Sequence, residues 1–287
     1  MSTGLVVALL IAGAAIAHAT WNIVVKKAGM SGPSYIWAGI VVGAVLFAPF
    51  GVASLAADGI DLLELLPLAL VSGALQVVYF LVLQRGYRLA DVSVVYPLAR
   101  GTGPLLAVVL AILILGERPG WLGLLGAVVV TLGVVIIGFA GGRASARNNR
   151  TGILYGLGVG VLIAIYTLWD ASAVIVHELP PVGFYWGSLV VQSVLLAVPA
   201  LRRWPEPLRI ARTHPVAVLL FAILGPLAYI FILFAVQIAP VSIVAPAREV
   251  SVVLVGLAGW LLFREPHPVQ RMIGAAVVLV GVALLAA

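Results

Sequence analysis

The chain has 287 residues, 63% of them hydrophobic and only 9% charged, with a mean hydropathy of +1.22. A soluble domain carries about 25% charged residues, so a soluble fold is excluded; apolar runs of about 20 residues match the length that crosses roughly 30 Å of hydrocarbon. The net charge of +6 comes from Lys and Arg scattered singly or in pairs between apolar runs, which excludes a nucleic-acid-binding face, and with no cysteine there is no disulfide, thiol nucleophile or thiolate metal site.

Ten spans are predicted in chain order, near residues 4–25, 33–55, 62–85, 92–115, 120–140, 151–176, 181–201, 214–237, 241–262 and 269–286, each separated from the next by Pro, Gly or charge. The first run begins at Gly4 without a basic leader and is read as a retained helix rather than a cleaved signal. The longest polar breaks are GGRASARNNR at 141–150 and RRWPEPLRIARTH at 202–214, neither long enough to be a domain. The expected fold class is all-α integral membrane.

Laying the first half over the second with a shift of 148 or 149 reveals a repeat. Trp21 falls on Trp169 and Asn22 on Asp170; VSVVYP at 92–97 falls on VSIVAP at 241–246; Arg100 meets Arg248, Glu117 meets Glu265, Gly126 meets Gly274 and Gly133 meets Gly281. Trp, Pro, Arg and Glu are rare in this composition, so their coincidence marks duplication. The organisation is a first five-helix repeat over 1–140, a connecting loop over 141–150 and a second repeat over 151–287. An odd number of spans returns the chain on the opposite side of the bilayer, so the second copy is inverted, an architecture that places solute sites at the repeat interface near the midplane.

The basic residues set an orientation. Lys26, Lys27, Arg85, Arg88, Arg143, Arg147, Arg150, Arg202, Arg203, Arg209, Arg212, Arg264 and Arg271 lie in or beside loops after odd-numbered spans, and Arg118 alone follows an even one. By the positive-inside rule the odd loops are cytoplasmic and both termini are not.

Pro-containing fourth and ninth spans, each closing on a Glu-containing break before a Gly-spaced helix, read PLARGTGPLLAVVLAILILGERP then GLLGAVVVTLG, and APAREVSVVLVGLAGWLLFREP then MIGAAVVLVG. In this order and duplication the chain resembles the drug/metabolite transporter superfamily, EamA type, over essentially its whole length, and more narrowly the bacterial aromatic and neutral amino-acid exporters of the YddG type. The resemblance implies ten helices around a central cavity, a multi-pass protein of the bacterial inner membrane, and export of small metabolites. Ala245 stands where the first copy has Tyr96, and Pro104 has no counterpart, so the cavity is not expected to be symmetric.

Charged and polar groups inside the spans are the candidate site. Arg100 lies roughly 6 Å from the midplane at about 1.5 Å per residue, where a charge must face a cavity or a partner; Pro97 and Pro104 flank it. Arg248 and Glu249 sit at the matching place and read as a structural pair, with each other or with Arg100. His18, Trp21 and Asn22 share one face of the first span, and Tyr166, Trp169 and Asp170 share the equivalent face of the sixth. The third span offers Gln76, Tyr79 and Phe80, the fourth Tyr96, and the eighth Tyr229 and Gln237. An aromatic wall with a few amides suits a neutral, partly apolar solute such as an amino acid. Asp170, an acid without an adjacent base, is the candidate for proton coupling. Interfacial anchoring is the competing account of Trp21 and Trp169, and core packing that of the single aromatics. Glu117 and Glu265 read as helix-end contacts, and Gly152, Gly156 and Gly160 as a ridge for close helix packing.

No GxxxxGK[ST] phosphate loop, HExxH or GxSxG occurs, and the four His stand far apart. No catalytic residue, metal or cofactor is therefore implied. The expected function is secondary transport by alternating access, with a small solute, an amino acid first, and membrane lipid as partners, no nucleic acid, and an oligomeric state left open, a monomer included. Alternatives are a multidrug or other metabolite carrier of the same family, a channel, or a membrane enzyme acting on lipid, which would need paired acids or His on one face.

Overall fold

The computed structural model describes residues 2–30, 32–140, 149–264 and 267–287. The first repeat contains α1 (Thr3–Lys27), α2 (Pro33–Ala57), α3 (Leu62–Leu89), α4 (Val92–Ile114) and α5 (Trp121–Phe139). The second contains α6 (Asn149–Ile175), α7 (Pro181–Leu201), α8 (Glu206–Thr213), α9 (Pro215–Ile238), α10 (Val241–Ala247), α11 (Val250–Phe263) and α12 (Pro268–Leu285). Proline opens α2, α7, α9 and α12 in the first turn, where its missing N–H has no helical acceptor to lose. Gly29, Gly59 and Gly116 follow the ends of α1, α2 and α4 with positive φ, a conformation that glycine adopts without penalty.

Among the described residues ten helical spans are long and apolar enough to cross a membrane, the ninth running Val241–Phe263 through both α10 and α11. The chain is a multi-pass membrane protein built of two inverted five-span copies. Two features depart from the expected outline. The ninth span is interrupted at Arg248 and Glu249, where the N–H groups of Glu249, Ser251 and Val252 bond back three residues, to Pro246, Arg248 and Glu249. Pro246 cannot donate a helical bond, and the ladder tightens into a turn beside it. The polar break at 202–214 is also not a plain loop but holds the amphipathic α8, whose Glu206 accepts a 2.8 Å hydrogen bond from Ser34. Arg271 lies in the first turn of α12, next to the preceding loop, with its side chain buried. Glu265, Arg143 and Arg147 lie outside the described residues.

The repeat is visible in how the helices meet. Antiparallel α5 and α12 approach until a Cβ added at Gly126 would stand 2.8 Å from the Gly281 carbonyl oxygen, and one at Gly133 2.8 Å from that of Gly274. All four glycines belong to the duplicated set, so the repeat pattern records this helix contact. On α6, Gly156 packs against Leu98 and Gly152 against Val94 of α4, with Gly160 against Thr102; this is the close packing the glycine ridge predicts. The α2–α7 pair carries a reciprocal tie: Trp37 Nε1 donates to the Ser193 carbonyl at 2.7 Å and Trp186 Nε1 to the Ala44 carbonyl at 3.0 Å. Donors and acceptors alike are related by the shift of 149, so the two bonds exchange under the pseudo-two-fold axis.

Candidate functional site

Between the copies lies a cavity of about 670 Å³. Its walls come from α1, α2, α3, α4, α6, α7, α9 and α11, and it reaches the bundle end that carries Lys26, Lys27 and Arg88 past Met30, Gly32 and Tyr87. No residue of the loops at the other end, 58–61, 115–120, 176–180 or 239–240, lines it. That end is closed by packing of Leu55, Leu65, Leu179 and Phe184, all buried. Glu117, between α4 and α5, spans the two copies there. Its two carboxylate oxygens accept the N–H groups of Val241 at 2.7 Å and Ser242 at 2.9 Å, capping α10 and satisfying donors that a helix start leaves free.

Of the candidate residues, His18, Trp21, Asn22, Gln76, Tyr79, Phe80, Tyr96, Arg100, Tyr166 and Tyr229 all line the cavity. Tyr79 meets Tyr166 edge-on at 5.5 Å between ring centroids, and the row continues through Tyr229 at 6.2 Å to Tyr185 at a further 4.8 Å. Opposite helices thus contribute one aromatic wall. Trp21 contacts His18 and Phe221 edge-on. Trp169 is not part of the lining; its Nε1 donates to the Leu68 carbonyl at 3.0 Å, fastening α6 to α3.

Asp170 also stands behind the lining. It is fully buried, with Oδ2 accepting from the Tyr229 hydroxyl at 2.6 Å and from Gln76 Nε2 at 3.0 Å, both of which do line the cavity. Gln76 also donates to Ser72, which meets Ser188, and Gln192 donates to Ser188 and to Gln76. Gln192 gives no sequence-level signal, since a lone amide in an apolar span has no fixed partner until α3 and α7 pack. Oδ1 of Asp170 has no hydrogen-bond partner among the described residues.

The second charged group surrounds the interruption of the ninth span. Arg100 Nη2 lies 3.1 Å from Glu249 Oε2, and Arg248 Nε 3.6 Å from Glu249 Oε1; Glu249 is 1% exposed. Arg100 also reaches Ser251 Oγ at 3.4 Å. Arg248, like Arg100, lines the cavity.

A cavity bounded by inverted halves, open at one end and sealed at the other, is the form of a membrane carrier. The sequence matches the EamA-like transporter family model twice, over residues 5–139 and 150–287, and the chain belongs to that family: it is a membrane transporter of the drug/metabolite type. A crystal structure of 19% sequence identity superposes with a TM-score of 0.76, covering 97% of this chain and 95% of the other, which shows the shared fold. No curated protein sequence matches the chain.

Proposed function

We propose that the protein is a secondary transporter exporting small zwitterionic metabolites, aromatic or neutral amino acids first among them, by alternating access between its repeats. The cavity carries this reading: its walls combine tyrosine rings, a few amides and a buried guanidinium, and it opens at one end only. Apolar surface with a small set of placed polar groups fits a partly apolar solute, and Arg100 offers its carboxylate a planar, two-pronged donor. On the positive-inside assignment the open end is cytoplasmic, both termini face the other side, and the cavity is in the loading position for an exporter of the bacterial inner membrane. Asp170, behind Tyr229 and Gln76, is the proton-coupling group of this scheme. A monomer contains the whole pathway.

Counterflow in proteoliposomes tests the proposal: vesicles preloaded with unlabelled L-phenylalanine should transiently accumulate external labelled L-phenylalanine above equilibrium, with saturation. Equilibration without overshoot indicates a channel, and no uptake across a panel of neutral amino acids removes the amino-acid assignment.

A further inference from the structure

Arg100 and Arg248 occupy equivalent positions in the two copies, and the fold brings both to the side chain of Glu249. Two guanidinium groups therefore share one carboxylate at membrane depth, leaving a local excess of one positive charge. Asp170 takes its hydrogen bonds from Tyr229 and Gln76 and forms no ion pair with either arginine among the described residues, so at contact distance Glu249 is the carboxylate they share. A buried ion pair that serves structure alone needs good alignment and a full set of hydrogen bonds to offset the loss of water. This one has neither. Both Glu249 oxygens, Arg100 Nε, and Arg248 Nε and Nη2 are buried without a hydrogen-bond partner among the described residues, although the charges lie within ion-pair distance. Arg248 is nine-tenths buried and still contributes to the cavity wall. It stands in the interruption between α10 and α11, and discontinuous spans are where carriers place their solute sites.

We propose that Arg100 and Arg248 together form a carboxylate-binding subsite, and that Glu249 is its resident occupant, which the solute's carboxylate displaces. The two arginines come from opposite copies, so a carboxylate bridging them contacts both halves of the carrier. The tyrosine row of Tyr79, Tyr166 and Tyr229 leaves room for an apolar or aromatic body attached to that carboxylate. This deepens the transporter reading by naming the group that the cavity selects.

The test is binding to the purified full-length protein, followed by thermal unfolding at constant ionic strength. Phenylacetate and L-phenylalanine should raise the melting temperature saturably, whereas L-phenylalaninamide and phenethylamine, which lack the carboxylate, should not. Arg248→Gln should weaken the carboxylate effect at least tenfold, and Arg248→Lys should restore only part of it, because a point charge lacks the planar fork. Glu249→Gln discriminates most sharply: it should lower the melting temperature of the unliganded protein yet tighten carboxylate binding several-fold, since the internal competitor is gone. If Arg248→Gln does not fold, the wild-type panel and Glu249→Gln decide. Equal stabilisation by acid and amide, weaker carboxylate binding in Glu249→Gln, or no saturable carboxylate effect on the wild type would each overturn the subsite. Counterflow of the amine or amide alongside such a result would leave the transporter reading standing without it.

Discussion

Trp21 and Trp169 hold the same place in the two copies and are used differently. Trp169 donates its indole N–H to Leu68 and is withdrawn into the joint between α6 and α3, while the Trp21 N–H has no hydrogen-bond partner among the described residues and its ring faces the cavity. The next residue repeats the contrast. Asn22 bonds back to the His18 carbonyl on its own helix and lines the cavity, whereas Asp170 is clasped by α3 and α9 behind it. The glycine ridge on α6 packs against α4, but Gly4, Ala8 and Ala12, which stand at the equivalent positions of α1, are exposed. Duplicated residues supply equal chemistry; the conformation decides which copy binds its groups into structure and which leaves them available to solute.

Four experiments break or sharpen that comparison. The largest effect should come where the copies remain equivalent. Gly133→Leu and Gly281→Leu should both abolish recovery of monodisperse protein in size-exclusion chromatography, because an added Cβ would already stand 2.8 Å from the Gly274 oxygen in one and 2.6 Å from the Val130 nitrogen in the other. Tolerance of one and not the other would show that the α5–α12 contact is not symmetric.

Asp170 comes next. Asp170→Ala strips Tyr229 and Gln76 of their acceptor and should destabilise by about 1–3 kcal/mol, whereas Asp170→Asn keeps an acceptor oxygen, should retain expression, and should flatten the pH profile of transport. An unchanged profile in Asp170→Asn would remove proton coupling through this side chain.

Glu117→Gln should weaken the cap on α10, since hydrogen bonds to a charged group are worth about 1.5–3 kcal/mol each against roughly 1 for neutral ones. With no native cysteine, a single Leu179→Cys label reports the closed end directly. Its reaction with a membrane-impermeant maleimide should rise several-fold when Glu117→Gln is added, and an unchanged rate would show that apolar packing alone holds that end shut.

The smallest effect separates the tryptophans themselves. Trp169→Phe should cost about 1 kcal/mol of stability through the lost hydrogen bond, while Trp21→Phe should leave the melting temperature nearly unchanged and lower solute affinity. The reverse pattern would invert their roles.

The spans and their duplication were legible because hydropathy and rare residue types survive in one dimension: Trp, Pro, Arg and Glu mark the register even where Ala and Gly are too common to do so. The interruption of the ninth span was not legible. Pro97 and Pro246 occupy matching positions, yet α4 runs through as a helix and the ninth span breaks, so a proline at this place loosens the ladder without by itself deciding whether it parts. The burial of Asp170 depended likewise on Tyr229 and Gln76 arriving from two other helices. Membership of the cavity wall was readable for residues on helix faces, but helical periodicity puts Trp169 and Asp170 on one face with Tyr166 and does not say that the wall ends before them. Trp37 and Trp186 passed as ordinary apolar-span residues because their partners are backbone carbonyls, which carry no residue signature.

The reciprocal tryptophan tie has a mechanical consequence. An exchange of conformations between the copies maps the α2–α7 pair onto itself and does the same to α5–α12, so each bond at one end becomes its twin at the other and nothing in these pairs need break. In the proposed alternating-access cycle they would form a stationary axle on two sides of the bundle. The work of switching in that cycle would fall on α1, α3 and α4 against α6, α9, α10 and α11, and stiffening the axle, by a disulfide between α2 and α7 for instance, should leave turnover intact.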